Sequence, residues 1–283
     1  FYTSDTNMQP QSIIPGGEYP RSADVLVLET TLGADEEAEQ TSRPEEVEKF
    51  RDTLGRVIDR GGTALILVFV MGREQEMLAM LQRLKNDGTS PHAVPIDAAC
   101  SMRAIAGIYD DTNETTPRLD ADFKVYDVEQ ERVPYDSAEK TEMLEGPGIM
   151  VVSSGMMFEP TLSNVLARRI VENEEDAVLI VGHAVEGTPA RRLQDAAEEG
   201  PGSPVMLAEG HGPQPVHCTV ARFRFSCPSP RSDLLTIVDD LAPETVLLVH
   251  GEPEAQAWMQ NSIEEQHPDI DVRRPDWGEL IEV

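Results

Sequence analysis

The stretch Gly61 to Leu84 carries the clearest hydrophobic pattern in the chain. An apolar run, Ala64 to Val70, ends in Met71-Gly72, and a helical pattern opens at Arg73. Val68, Phe69 and Val70 favour strand. Met77, Leu78, Leu81 and Leu84 recur at helical spacing. The pattern predicts a buried parallel strand, a tight glycine turn and a crossover helix. It then recurs. Gly148–Val152 predicts a strand leaving through Ser153-Ser154-Gly155-Met156, followed by a helix over Leu162–Val171. Ala177–Val181 predicts a third strand, ended by Gly182-His183, and Gly187-Thr188-Pro189 opens a helix.

The flanks are read the same way. Phe1–Asp5 predicts the end of a strand, and Asp24–Thr31 a strand that is apolar inside and acidic at its end. A helix to about Arg60 starts near Pro44, with Val47, Phe50, Leu54 and Val57 on one face. His92–Asp97 predicts a short strand and Ala98–Tyr109 a helix, with His92 on a surface loop and Cys100 buried. Residues 111–147 are polar and carry Pro117, Pro134 and Pro147; irregular structure is expected, with a short helix at Ser137–Leu144. The remainder predicts strand pattern over Pro215–Phe225 and helix over Ser232–Leu241. Strand over Thr245–Glu252, helix over Pro253–Glu265 and strand over Ile270–Arg274 complete it.

Composition changes this picture in one respect. The 283 residues include 23 basic and 52 acidic side chains, a net charge of −29. Such charge marks disordered chains, but the apolar strands require a folded core. The better reading is a folded, halophilic protein whose acidic surface stays solvated in screening salt. The three cysteines form neither a disulfide framework nor a C-x-x-C pair, so a thiolate zinc site is not expected. Apolar runs fall far short of a membrane span and no signal peptide is present, so a cytoplasmic location is expected. Phe1 opens the chain in mid-pattern.

Candidate chemistry lies at strand ends. Asp5 and Glu29 follow predicted strands, where α/β proteins place functional carboxylates, and His250 follows another. Singly, each is an ordinary loop acid or a structural histidine. The turns at Gly72, Ser153-Ser154-Gly155 and Gly187-Thr188 are expected along one sheet edge, where backbone N–H groups suit phosphate. Arg73, Arg168, Arg169, Arg191 and Arg192 are a positive subset that favours a phosphate-bearing ligand. The competing reading is that these glycines only make turns.

The combination of motifs resembles the β-CASP subgroup of metallo-β-lactamase-fold nucleases, the RNA-processing exonuclease and mRNA 3′-end processing type. Tyr2-Thr3-Ser4-Asp5 is similar to that family's Y-T-G-D, with Ser4 in place of Gly. Asp24 to Gly33 is similar to D-hydrophobic-E-x-T-x-G. Gly61 to Glu76 resembles GG-x-hydrophobic-P-x-F-A-x-GR-x-QE, with Leu67 for Pro. Ser153–Met156 matches SSGM, and Gly182–Leu193 matches G-Y-x-x-x-GT-x-x-R-x-L with His183 for Tyr. Val249-His250-Gly251-Glu252 matches the V-H-G-E that carries the family's last zinc-ligand His.

The resemblance implies an α/β chain with two lobes. Residues 1–45 and 196–283 would form part of a metallo-β-lactamase αββα sandwich, incomplete at its N-terminus. Residues 46–195 would form an inserted β-CASP lobe with a mainly parallel sheet. It also implies zinc as cofactor, Asp5 and His250 as metal ligands, and Glu29 beside the metal. The basic turns would contact RNA, no membrane partner is expected, and homodimerisation is left open. Two departures stand out. Pro228 and Pro230 occupy the His and Asp positions of F-S-A-H-x-D, and no H-x-H-x-D-H cluster is present. The resemblance therefore implies a truncated or degenerate member. Three functions follow: a zinc-dependent ribonuclease whose metal site is incomplete in this chain; a non-catalytic pseudo-nuclease that binds RNA or a partner; or another lactamase-fold hydrolase of small esters.

Overall fold

The computed structural model describes residues 1–86, 95–133, 144, 146–225 and 228–282, with backbone alone for 99–103 and 132. In chain order the elements are β1 (Val25–Glu29), α1 (Glu36–Gln40), α2 (Arg43–Asp59), β2 (Thr63–Leu67), α3 (Arg73–Asn86), β3 (Ile96–Ala99) and α4 (Cys100–Asp110). Next come β4 (Glu131–Val133), β5 (Gly148–Val152), α5 (Leu162–Ile170), β6 (Ala177–Val181), α6 (Pro189–Glu199), β7 (Pro204–Val205) and β8 (Gln214–Pro215). Then follow β9 (Thr219–Phe223), α7 (Arg231–Leu241), β10 (Thr245–Val249), α8 (Pro253–Gln266) and β11 (Asp271–Arg273). The expected surface position of His92 and the short helix at Ser137–Leu144 lie outside the described residues, apart from Leu144, as does the side chain of Cys100.

The chain divides into two compact units. One comprises residues 1–11, 15–42 and 226–283; the other residues 12–14 and 43–225. The larger unit is built on a six-stranded parallel sheet in the order β4-β3-β5-β2-β6-β9. All five residues of β2 and of β6 are buried, which is why both read as continuous apolar runs. Leu67, where the resembling motif has Pro, is the register partner of Val152 and Ile180 at the sheet's centre. Helix α2 buries Phe50, Leu54, Val57 and Ile58. Phe50 meets Phe223 and Phe225 edge-on, at centroid distances of 5.2 and 5.8 Å. Asp176 ties the strand starts together, its Oδ1 accepting from the Thr63 N–H at 2.7 Å.

The sequence reading placed a boundary at 195/196. The larger compact unit runs to Phe225, with β9 paired in parallel with β6 over Ala177–Val181. Cys218 is buried there, its thiol pushed up to about 12 by desolvation, which leaves it chemically inert.

The smaller unit holds a three-stranded parallel sheet, β1-β10-β11. Phe1–Thr3 runs beside β1 through a parallel bridge, Tyr2 to Val27. Leu26, Leu28, Val246 and Leu248 pack with Leu234, Ile237, Val238 and Leu241 of α7 and with Met259 and Ile263 of α8. Each such buried side chain contributes roughly 1.5–3 kcal/mol. The stretch Pro228–Pro230 forms the entry to α7, with Pro230 at its N-cap. Pro230 has no side chain to cap with, and the Glu39 carboxylate accepts the Ser232 N–H instead, at 3.2 Å. Among the described residues, no helix is long and apolar enough to cross a membrane.

Candidate functional site

In the smaller unit the register of β1 against β10 pairs Glu29 with Val249. It therefore brings the residues after both strands to the same sheet edge, and Asp5 arrives from the segment beside β1. Asp5, Glu29 and His250 each offer a ligand atom within 4.8 Å of the other two. Among the described residues they are the one such group of three. Asp5 Oδ1 lies 2.6 Å from His250 Nδ1. Ser4 holds φ at +49° and His250 at +51°, both in the left-handed region. Ser4 thus adopts the turn that the motif's glycine would supply.

Thr31 ties the cluster together, a role the sequence did not disclose although the motif contains that threonine. Its N–H donates to Glu29 Oε2 at 2.8 Å, and its hydroxyl donates to the His250 carbonyl at 3.1 Å. The same hydroxyl lies 3.3 Å from His250 Nδ1. The Thr30 hydroxyl donates to the Val249 carbonyl at 3.2 Å. Glu29 is fully buried, and its Oε1 has no hydrogen-bond partner. Burial pushes its carboxyl up, bonds from Thr31 pull it down, and the charge of Asp5 adds to the rise.

Two carboxylates and one imidazole are the donor types zinc takes, and three protein donors plus water make a catalytic zinc site. The orphaned Oε1 of Glu29 is a buried acceptor aimed at nothing else in the protein. The three residues fit one ion; a second would need donors beyond them. Asp5 and His250 would hold the ion, with Glu29 as a third donor rather than a neighbour alone. Pro228 and Pro230 supply no donor to this site.

Gly251 allows the approach of the two strand ends. A Cβ there would stand 2.2 Å from Thr30 Oγ1 and 2.8 Å from the Thr30 carbonyl oxygen. Gly251→Ala is therefore expected to displace His250 and lower zinc affinity about tenfold or more, measured by competition with a chromophoric chelator. Unchanged affinity would show that His250 is not held by this approach.

The remaining candidates lie in the larger unit. β5, β2 and β6 are neighbours and parallel, so the turns at Ser153–Gly155, Gly72 and Gly187–Thr188 leave one edge of the sheet side by side. Several motif residues have local structural tasks. Gln75 closes its turn, Oε1 accepting from the Gly72 N–H at 2.6 Å and Nε2 donating to the Val70 carbonyl at 3.1 Å. Glu76 accepts the N–H groups of Ser12 and Ile13 and lies 3.6 Å from Arg43. Thr188 caps α6, its hydroxyl oxygen accepting from the Arg191 N–H at 3.3 Å. Arg191 is held by Asp195 at 2.6 Å, while Arg192 is exposed. Ser154 Oγ is buried without a partner. Arg168 lies apart from these turns, in the last turn of α5, bonded to Asn164.

The smaller unit thus presents two carboxylates and one imidazole at the ends of parallel strands, a donor set that suits a metal ion. Family comparison agrees. The Beta-Casp domain matches residues 74–193, and the Zn-dependent metallo-hydrolase RNA specificity domain matches residues 213–275. The chain belongs to the β-CASP group of the metallo-β-lactamase fold. It is 27% identical over 281 residues to cleavage and polyadenylation specificity factor subunit 3 of Dictyostelium discoideum, covering 97% of this chain and 35% of that protein. It is 27% identical to endoribonuclease ysh-1 of Neurospora crassa, covering 89% of this chain and 33% of that one. Against RNase aCSPSF2 of Saccharolobus solfataricus it is 26% identical, covering 99% and 53%. The chain thus spans about a third of the length of the first two relatives.

Proposed function

We propose that this chain belongs to a zinc-dependent hydrolase that cuts RNA during RNA processing. The observation that carries this reading is the convergence of Asp5, Glu29 and His250 at the ends of adjacent strands. Two of the relatives are named endoribonuclease and RNase. Bound zinc supplies a water acidic enough to attack a phosphodiester at neutral pH. Asp5 and His250 would separate from their mutual contact to hold it. Thr31 orients the imidazole and one oxygen of Glu29. Glu29, with Oε2 accepting from the Thr31 N–H and Oε1 unpartnered, would complete the donor set. The turns at Gly72–Arg73, Ser153–Gly155 and Gly187–Thr188, with Arg191 and Arg192, would hold RNA phosphates. The high-salt cytoplasmic setting and association into a homodimer belong to the same proposal.

A second reading is favoured by Pro228 and Pro230, which remove two functional groups from the family pattern. It is a non-catalytic RNA binder. One experiment separates the two: a labelled single-stranded RNA incubated with the protein in high KCl, with zinc or with chelator. Zinc-dependent cleavage that falls on the order of 100-fold or more in Asp5→Ala and His250→Ala is the expected result. Binding without cleavage would leave the second reading standing. Neither binding nor cleavage would remove both.

A further inference from the structure

We propose that the C-terminal edge of the β5-β2-β6 strands is a stacking platform for the bases of single-stranded RNA, with Phe158 and Phe69 as its aromatic faces. This rests on the RNA reading above and adds what part of RNA this edge recognises. The larger unit contains six phenylalanines, and burial separates them. Phe50, Phe223 and Phe225 are in the core and Phe123 is half-buried, whereas Phe69 is 42% and Phe158 54% exposed. The two exposed rings lie in the segments leaving adjacent strands, β2 and β5. Met71 and Val185, also exposed, follow β2 and β6 at the same edge.

The segments are locked to one another. A Cβ on Gly155 would stand 3.5 Å from Phe69 Cε2, so that turn lies directly against the ring. The Met156 carbonyl accepts the Ala190 N–H at 3.2 Å, and the Phe158 carbonyl accepts the Thr161 N–H at 2.9 Å. Apolar rings held on rigid turns cost exposure in water and suit flat, apolar partners that change with the ligand. Every base offers such a face, whatever its identity.

Charge selects a nucleic acid over an apolar protein surface. α3 and α6 both begin at this edge, presenting their positive ends. Arg73 and Arg191 open those helices in a chain of net charge −29. Glu159 and Glu186 share the edge and Asp195 holds Arg191 at 2.6 Å, which offsets much of this. Phosphate attraction is accordingly modest, and stacking has to supply most of the affinity. Ser154 Oγ and Glu74 Oε1, buried and unpartnered in two of the same turns, are polar atoms left unused by the protein.

The test uses the full chain and fluorescence anisotropy with two labelled probes, a twelve-nucleotide oligoadenylate and an abasic strand of equal length. KCl is kept high, where phosphate contacts are screened and stacking is not. Wild type is expected to prefer the oligoadenylate, and Phe158→Ala to lose about tenfold in affinity for it while its abasic binding stays unchanged. Phe158→Trp is expected to restore the preference. Equal binding of both probes by wild type, or no loss in Phe158→Ala, would overturn the platform while leaving the RNA reading intact. No binding of either probe would count against the RNA reading itself. A Phe158-dependent self-association without any RNA preference would assign this face to protein instead and overturn the proposal.

Discussion

Glu74→Gln is expected to stabilise the protein strongly above pH 8 and hardly at all near pH 5. Glu74 is fully buried at the start of α3. Its Oε2 accepts from the Gln75 amide and its Oε1 has no partner. Burial alone pushes its carboxyl up from 4.5 to about 8. The folded state therefore binds this proton more tightly than the unfolded chain. The stability that the neutral acid allows is fully present below pH 4.5, is lost as pH rises through 8, and stays lost above it. A shift from 4.5 to about 8 corresponds to an upper limit on the order of 4–5 kcal/mol. Gln mimics the protonated acid and does not titrate, so its advantage over wild type should grow to a few kcal/mol between pH 5.5 and 9. Glu29, Asp97, Asp176 and Asp233 are also raised by burial. They tilt both proteins alike and cancel in the difference. Urea unfolding across that range in constant high KCl measures it. A difference independent of pH would mean that Glu74 does not hold a proton in the folded state.

The burial of Glu74 was not legible in the sequence. An acid in the first turn of a helix normally faces water and favours the helix dipole. Here the Glu74 N–H donates to the Phe69 carbonyl at 3.1 Å and its side chain is buried, which no local pattern encodes. What local pattern encodes, the sequence disclosed. β5 and β6 have the bounds their apolar runs predicted, because a strand buried on both faces needs every residue apolar. Edge strand β4 escaped notice, since Glu-Arg-Val is short and polar. β9 read as a strand, but its membership in the larger sheet depends on pairing with β6, a contact between residues some forty positions apart that no local pattern specifies. The candidate site divides likewise. Asp5, Glu29 and His250 were legible as strand-end groups. The nearness of Glu29 to Asp5 and His250 follows from the β1–β10 register, and the role of Thr31 from the distance between two strand ends.

Melting temperature is expected to climb steeply with KCl. At −29, like charges repel across each compact unit, and unfolding relieves that by moving them apart. The Debye length falls from about 30 Å at 0.01 M to about 3 Å at 1 M, so the repulsion passes from spanning a unit to reaching only near neighbours. Local pairing offsets little of it. Several ion pairs, such as Arg51–Glu48 and Lys85–Glu129, have exposed partners, and exposed pairs contribute at most about 1 kcal/mol. A gain of about 5 kcal/mol over this salt range would raise the melting temperature by roughly 10–20 °C for units of this size. Salt also strengthens apolar burial in general, so a control is needed. Glu174, Glu199, Asp240, Glu265 and Asp269 are exposed. Changing these five to their amides lowers the net charge to −24 without touching the core. The variant should melt higher than wild type at 0.05 M KCl and converge with it at 2 M. Parallel salt curves for the two proteins would assign the effect to apolar burial rather than to self-repulsion, and a flat curve for wild type would remove the halophilic reading altogether.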